Sequence, residues 1–140
     1  MTVRGGIGYQ TLLDEANSQI ELISTTRLAE QIGDDALILI DLRDVRELER
    51  EGHLPGAIHT PRGMLEFWID PNSPYARPIF QEDKCFVFYC RSGWRSALAT
   101  AVAMRLGLQR TSHLDGGFTA WKDAGFEITA YTPRAKKAKG

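Results

Sequence analysis

Hydrophobic residues along this chain fall alternately into short extended runs and into helical stretches. Continuous apolar runs are typical of strands buried on both faces of a parallel sheet, and helices show apolar residues three or four positions apart. The predicted strands are residues 20–23, 37–41, 57–59, 84–89 and 111–114. The predicted helices are residues 9–17, 25–32, 44–51, 63–69, 96–106 and 118–124. This alternation predicts an α/β domain with a mainly parallel sheet and helices on both faces.

Turn-forming residues mark the boundaries between these elements. Ser24 is placed to cap the second helix, and three prolines within residues 70–78 predict a loop there. A length of 140 residues fits one domain with one hydrophobic core. We therefore expect an N-terminal extension over residues 1–19, a single domain over residues 20–130 and a basic C-terminal tail over residues 131–140.

Composition narrows the class of function. The formal net charge is −1, so no overall basic field attracts nucleic acid, and a nucleic-acid partner is not expected. We see no apolar run of about 18 residues and no secretory h-region, which predicts a cytoplasmic protein without membrane attachment. The cysteine and histidine spacing predicts no metal site, and His53, His59 and His113 are interpreted as surface or core residues.

The chemistry is concentrated in residues 90–96, Cys-Arg-Ser-Gly-Trp-Arg-Ser, between a predicted strand and a predicted helix. Such a loop directs backbone N–H groups and the positive end of the helix at one point, where the Cys90 sulfur lies. Arg91 and Arg95 add positive charge, which favours a thiolate and an anionic substrate. Asp41 also follows a strand, and ligands of parallel sheets bind at the carboxyl ends of the strands.

A disulfide between Cys85 and Cys90 is not expected. The two residues are an odd number of positions apart along one strand, so their side chains point to opposite faces of the sheet.

Three motifs together resemble the rhodanese family, the sulfurtransferases that carry sulfur as a cysteine persulfide. Residues 90–95 resemble the active-site loop of that family. Residues 41–44, Glu47 and residues 52–58 resemble its first signature, and residues 113–121 resemble its C-terminal one. The motifs occur in the right order over about residues 20–127, and the resemblance implies a single rhodanese-like domain.

The resemblance also implies a mechanism without a cofactor. The Cys90 thiolate would attack the outer sulfur of a small anionic donor such as thiosulfate, release sulfite and keep the sulfur as a persulfide. Cyanide or a thiol would then accept the sulfur. The residues expected to bind the substrate are Arg91, Ser92, Gly93, Trp94, Arg95 and Ser96.

Several neighbours are assigned more specific roles. Arg91 is expected to contact the oxyanion of the donor, while Asp41 and Arg43 are supporting residues. Arg95 is expected to brace the loop against Asp41. Trp94 either lines the entrance of the site or anchors the next helix, and Arg62 is a candidate for the mouth of the site. Further along, Asp115, Gly116 and Gly117 are expected to form a tight structural turn.

Two other classes of function stay open. Cysteine phosphatases and arsenate reductases also cradle an oxyanion, but such phosphatases place five residues between cysteine and arginine, whereas four separate Cys90 from Arg95. Many phosphatases also have histidine at the position of Tyr89. A non-catalytic regulatory module, or a carrier loaded with sulfur by a relay protein, is the other alternative.

Overall fold

The computed structural model describes residues 5–133. Within them the strands are β1 Leu22–Ile23, β2 Leu37–Asp41, β3 Ile58–His59, β4 Cys85–Tyr89 and β5 Thr111–Leu114. The α-helices are α1 Tyr9–Asn17, α2 Thr25–Gln31, α3 Val45–Glu51, α4 Leu65–Ile69, α5 Trp94–Arg105 and α6 Gly117–Asp123. Short 3-10 helices cover Arg62–Met64 and Pro78–Gln81. Residues 134–140 of the predicted basic tail lie outside the described residues.

The five strands form one parallel sheet in the order β1-β5-β4-β2-β3. This confirms the predicted α/β class and its parallel sheet. At the centre, β2 and β4 pair so that Asp41 lies opposite Tyr89. The ends of these two strands are therefore level, and Asp41 is brought beside the segment that begins at Cys90.

The core consists of two layers separated by the sheet, which confirms the prediction of helices on both faces. Alternate side chains of β2 and β4 enter opposite layers, as the period of two in a strand requires. One layer contains Ile40 and Phe88 with residues of α4 and α5. The other contains Leu39 and Val87 with residues of α2 and α6. Because helices cover both faces of the sheet, the ends of its strands are the parts left accessible.

Helix α1, which lies in the predicted N-terminal extension, packs on the outside of α5. Leu13 and Ala16 of α1 form a small apolar cluster with Ala97 of α5. The start of α5, next to the cysteine loop, is thus covered by a second layer of helix.

The boundaries of some elements differ from the sequence prediction. Helix α5 begins at Trp94 instead of residue 96, because the loop ends at Gly93, whose φ of 133° ordinary residues rarely adopt. Trp94 and Arg95 therefore belong to the first turn of the helix. Helix α3 is capped by Asp44, whose side chain and that of Glu47 form a capping box.

Among residues 5–133 the structure contains no helix long and apolar enough to cross a membrane.

Candidate active site

Cys90 lies immediately after β4 and is 1% exposed. Its sulfur accepts hydrogen bonds from the backbone N–H of Gly93 at 3.2 Å and of Ser96 at 3.4 Å. Both donors belong to the loop and first turn that lead into α5, a helix of 12 residues. Hydrogen-bond donors and the positive end of a helix favour negative charge on a neighbouring atom, so this position suits an anionic sulfur.

A second contact to the sulfur comes from a side chain. The Ser96 hydroxyl oxygen lies 3.5 Å from the Cys90 sulfur and 2.9 Å from Nδ1 of His113. His113 is on β5 and is 4% exposed, and burial lowers the pKa of its imidazole, partly offset by the charge of Asp115. From the sequence, His113 is interpreted as a surface or core residue and is the first residue of the motif at residues 113–121. Its role at the site depends on β5 lying beside β4, which no local pattern reveals.

Arg91 of the loop and Arg95 of the first turn of α5 pair with two glutamates of α3. Both guanidinium nitrogens of Arg95 bond to the Glu47 carboxylate, at 2.7 and 3.1 Å, and Arg91 bonds to Glu51 at 2.7 Å. The hydrogen bond from Arg95 lowers the pKa of Glu47, and the same bond raises the pKa of Arg95. Glu47 and Glu51 lie one helical turn apart, and the arginines have the same spacing of four. That matched spacing is a sequence signal from which the role of Glu51 could have been predicted.

The predicted contact between Arg95 and Asp41 is wrong. The Asp41 carboxylate is already occupied by Arg43, whose Nη2 lies 2.8 Å from Oδ2, and by the hydroxyl of Tyr89. All three side chains are fully buried. Arg95 bonds instead to the partly buried Glu47 carboxylate.

Asp41, Arg43 and Tyr89 form a buried group at the carboxyl ends of β2 and β4, next to the cysteine loop. Arg43 also donates to the carbonyl of Gly52 at 2.6 Å. Burial lowers the pKa of Arg43, but its hydrogen bond and charge interaction with Asp41 leave it raised overall. Burial, together with the Asp41 charge, raises the pKa of Tyr89 well above its usual range. The group ties the end of β2 to the end of β4, where Cys90 follows, and the supporting role of Asp41 and Arg43 stays a prediction.

The start of α6 holds the other side of the cysteine loop. The N–H of Phe118 donates to the Cys90 carbonyl at 2.8 Å, and that of Thr119 donates to the Arg91 carbonyl at 3.0 Å. Gly117 has φ of 60°, and a Cβ there would lie 2.6 Å from both carbonyl oxygens. The tight structural turn expected here is confirmed, because only glycine permits this approach.

The remaining candidates lie nearer the surface. Trp94 is 61% exposed and its ring centroid is 5.0 Å from that of Tyr9 in α1. Ser92 is exposed in the loop. Arg62 pairs with Glu66 on its own helical segment at 2.9 Å. Over residues 5–133 no group of three histidine, cysteine or acidic side chains is placed to hold a metal ion.

The family of the chain follows from this site and from comparison with known proteins. The family model of the rhodanese-like domain matches residues 24–124. The chain therefore belongs to the rhodanese-like domain family, which confirms the resemblance drawn from the three motifs.

Two curated relatives span most of this chain. YtwF of Bacillus subtilis, whose name marks it as a candidate sulfurtransferase, is 35% identical over 105 residues, covering 74% of this chain and 92% of that protein. A sulfurtransferase of Allochromatium vinosum is 31% identical over 109 residues, covering 77% of this chain and 94% of its own length. These similarities support sulfurtransferase activity in general.

A solved structure from Rhodopseudomonas palustris is similar over nearly the whole fold. It is 52% identical, has a TM-score of 0.87, and covers 91% of this chain and 98% of its own. That protein is described as being of unknown function and a possible tyrosine phosphatase.

Proposed function

We propose that the chain is a sulfurtransferase that takes sulfane sulfur from thiosulfate and carries it as a persulfide on Cys90. The observation that supports this most strongly is the Cys90 sulfur, buried at the start of α5 with two backbone N–H donors directed at it. The relatives named sulfurtransferases agree with this class of reaction.

The proposed reaction has two displacement steps at sulfur. The Cys90 thiolate attacks the outer sulfur of thiosulfate. A Cys90 S–S bond forms while the S–S bond of thiosulfate breaks, and sulfite leaves with the electron pair. The persulfide anion is then attacked at its outer sulfur by cyanide or by a thiolate, which departs with that sulfur and regenerates the Cys90 thiolate. The total charge is conserved in each step, and no oxidant or reductant is consumed.

The contribution of the protein to this reaction is electrostatic. A thiolate and a doubly charged donor repel each other, so the loop must supply positive potential where they meet. The backbone N–H groups of Gly93 and Ser96 hold the sulfur, and the 12-residue helix α5 adds its positive end. Arg91, which is half exposed, is the proposed contact for the sulfonate oxygens of the donor. Because the Arg91 guanidinium is bonded to the Glu51 carboxylate, the donor must compete with that carboxylate.

A phosphatase is the second candidate, since the similar Rhodopseudomonas protein carries that description. Four residues separate Cys90 from Arg95, one fewer than in cysteine phosphatases, and the ring of amides is correspondingly smaller. The Arg95 guanidinium is also bonded to Glu47 through two nitrogens, which leaves it less able to chelate a phosphate. A small amide ring suits a single sulfur better than a phosphate group.

The test is intact-protein mass spectrometry after incubation with thiosulfate. We expect a gain of about 32 Da, one sulfur atom, that disappears when cyanide is added. The gain should be absent in Cys90→Ser and present in Cys85→Ser, which controls for the second free thiol.

Other outcomes would redirect the assignment. Loading by a cysteine desulfurase with cysteine, but not by thiosulfate, would make the protein a carrier fed by a relay partner. Turnover of p-nitrophenyl phosphate without any sulfur adduct would favour the phosphatase.

A further inference from the structure

The Ser96 hydroxyl has three polar neighbours and only one proton to donate. Its oxygen lies 2.9 Å from His113 Nδ1, 3.3 Å from the Gly93 carbonyl oxygen and 3.5 Å from the Cys90 sulfur. A hydroxyl donates one hydrogen bond and accepts up to two. The neighbour that receives the proton therefore decides whether Ser96 can act as a donor to the sulfur.

The position of the proton on His113 controls that choice. Burial lowers the pKa of this imidazole, so at neutral pH it is uncharged and carries a proton on one nitrogen. Nε2 is buried and has no partner among the described residues, whereas Nδ1 faces Ser96. A proton on Nε2 would leave a buried N–H without an acceptor, which is rarer in proteins than an unpaired acceptor. The structure therefore favours the proton on Nδ1, directed at the Ser96 oxygen.

We propose that His113 is a positioning residue for Cys90: it donates its Nδ1 proton to Ser96 and so leaves the Ser96 hydroxyl free to donate to the Cys90 sulfur. Two acceptors then compete for the Ser96 proton, the Gly93 carbonyl and the sulfur. A hydrogen bond to an ionised acceptor is the stronger one, so a thiolate or persulfide anion receives it. The sulfur is then held by three donors, the N–H groups of Gly93 and Ser96 and the Ser96 hydroxyl.

The charged groups around this chain of contacts come from three elements. Asp115 follows β5 and acts on His113, Arg95 in α5 acts on Cys90, and Glu47 in α3 holds Arg95. None of them forms a described hydrogen bond with Ser96 or His113. The inference rests on the proposed function only in taking Cys90 as the reacting thiol.

The test compares three substitutions of His113 in a Cys85→Ser background, which leaves Cys90 as the single thiol. Asparagine places an amide donor near the position of Nδ1, glutamine places it near Nε2, and leucine supplies none. The readout is the rate of alkylation by iodoacetamide as a function of pH, which follows the thiolate fraction of Cys90.

We expect His113→Gln and His113→Leu to move the alkylation profile to higher pH and to lower the rate at pH 7 by roughly threefold to tenfold. His113→Asn should stay within about twofold of the parent, because it retains a donor to Ser96. Ser96→Ala should reproduce the shift, and adding His113→Gln to it should cause no further shift. Rescue by asparagine but not by glutamine separates positioning from a loss of packing.

Unchanged profiles in glutamine and leucine variants would overturn the proposal, as would an asparagine variant that shifts as far as glutamine does. If the leucine variant does not fold, the asparagine and glutamine pair still decides the question. The alkylation profile does not depend on sulfur transfer. A parent protein that takes no sulfur from thiosulfate would contradict the proposed function while leaving this inference testable.

Discussion

The two cysteines of the chain begin and follow the same strand, yet their surroundings have little in common. Cys85 is exposed at the amino end of β4, and Cys90 is buried just beyond its carboxyl end. A groove of about 640 Å³ lies beside Cys85, so access for small molecules is available there. Among residues 5–133, however, no backbone N–H donates to the Cys85 sulfur, whereas two donate to Cys90. Backbone donors at the sulfur, rather than access, distinguish the two thiols, since the positive group beside Cys85 is the exposed side chain of Arg110.

Strand direction explains this difference. In a parallel sheet whose connections are helical, the helix that follows a strand begins near the carboxyl end of that strand. The first turn of α5 therefore faces Cys90, and the start of α6 binds the same loop through Phe118. The amino end of β4 has instead the exposed ion pair of Arg110 with Asp83. One end of the strand gathers oriented N–H groups, and the other does not.

The largest expected effect is on activity. Cys90→Ser should abolish sulfur loading and turnover, because serine at neutral pH provides no thiolate and cannot form a persulfide. Cys85→Ser should keep the thiosulfate:cyanide transfer rate within about twofold of the parent. A steady-state thiocyanate assay measures both. An equal loss of transfer activity in the two variants would contradict the claim that only the thiol at the carboxyl end of β4 reacts.

The next largest effect is expected from removing the buried carboxylate of Asp41 at the end of β2. Asp41→Asn removes the carboxylate that is hydrogen-bonded to the fully buried Arg43, and the Glu51 carboxylate, 3.7 Å from Arg43 Nη1, is too distant to replace that bond. The free energy of unfolding should therefore fall by about 3 kcal/mol. Urea unfolding followed by fluorescence measures the change. Asp83→Asn is the matched control at the other end of the strand, where the carboxylate is 94% exposed, and should cause no measurable change. Equal changes in the free energy of unfolding would contradict a stabilising role for Asp41 at the carboxyl ends of β2 and β4.

A smaller effect is expected where α6 approaches the cysteine loop. Gly117→Ala combines a positive φ with a clash against the Cys90 and Arg91 carbonyls, and should cost about 2–3 kcal/mol of stability and slow alkylation of Cys90. Gly125→Ala has φ of 81° but no atom within 4 Å of the added Cβ. It should therefore cost about 1 kcal/mol and leave the reactivity of Cys90 unchanged. Similar alkylation rates in both variants would contradict a role for this contact in shaping the loop.

The smallest effect concerns the partly buried ion pair between Arg95 and Glu47. Arg95 lowers the pKa of Glu47, so the pair stabilises the fold above the ordinary pKa of a glutamate and loses that contribution as pH falls through the lowered pKa. Glu47→Gln should reduce the free energy of unfolding by about 0.5–1 kcal/mol at pH 7. The difference from the parent should shrink below about pH 4, as urea unfolding at several pH values would show. A difference that stays constant down to pH 3 would contradict this ion pair.

The sequence predicted the parts of the site that depend on local pattern. The strand before Cys90 and the turn at Gly117 follow from a hydrophobic run and from a backbone requirement that single residues reveal, whereas the helix was predicted to begin at residue 96 and begins at Trp94. The partners of the arginines depend on how separate segments meet. Asp41 and Glu47 are both candidate carboxylates in the sequence, and only the fold shows that the Asp41 carboxylate is bonded to the buried Arg43 and Tyr89. His113 begins the motif at residues 113–121, but its contact with Ser96 depends on the pairing of β4 with β5.

The most direct measurement asks which cysteine carries the sulfur. Trypsin cleaves after Lys84 and Arg91, so both cysteines lie on one peptide, residues 85–91, and fragmentation between them assigns the added mass. The protein is treated with thiosulfate, alkylated and digested before tandem mass spectrometry. We expect the additional sulfur, about 32 Da, on fragments that contain Cys90 and none on those that contain only Cys85. Sulfur on Cys85, or shared equally between the two residues, would contradict the claim that the carboxyl end of β4 creates the reactive thiol.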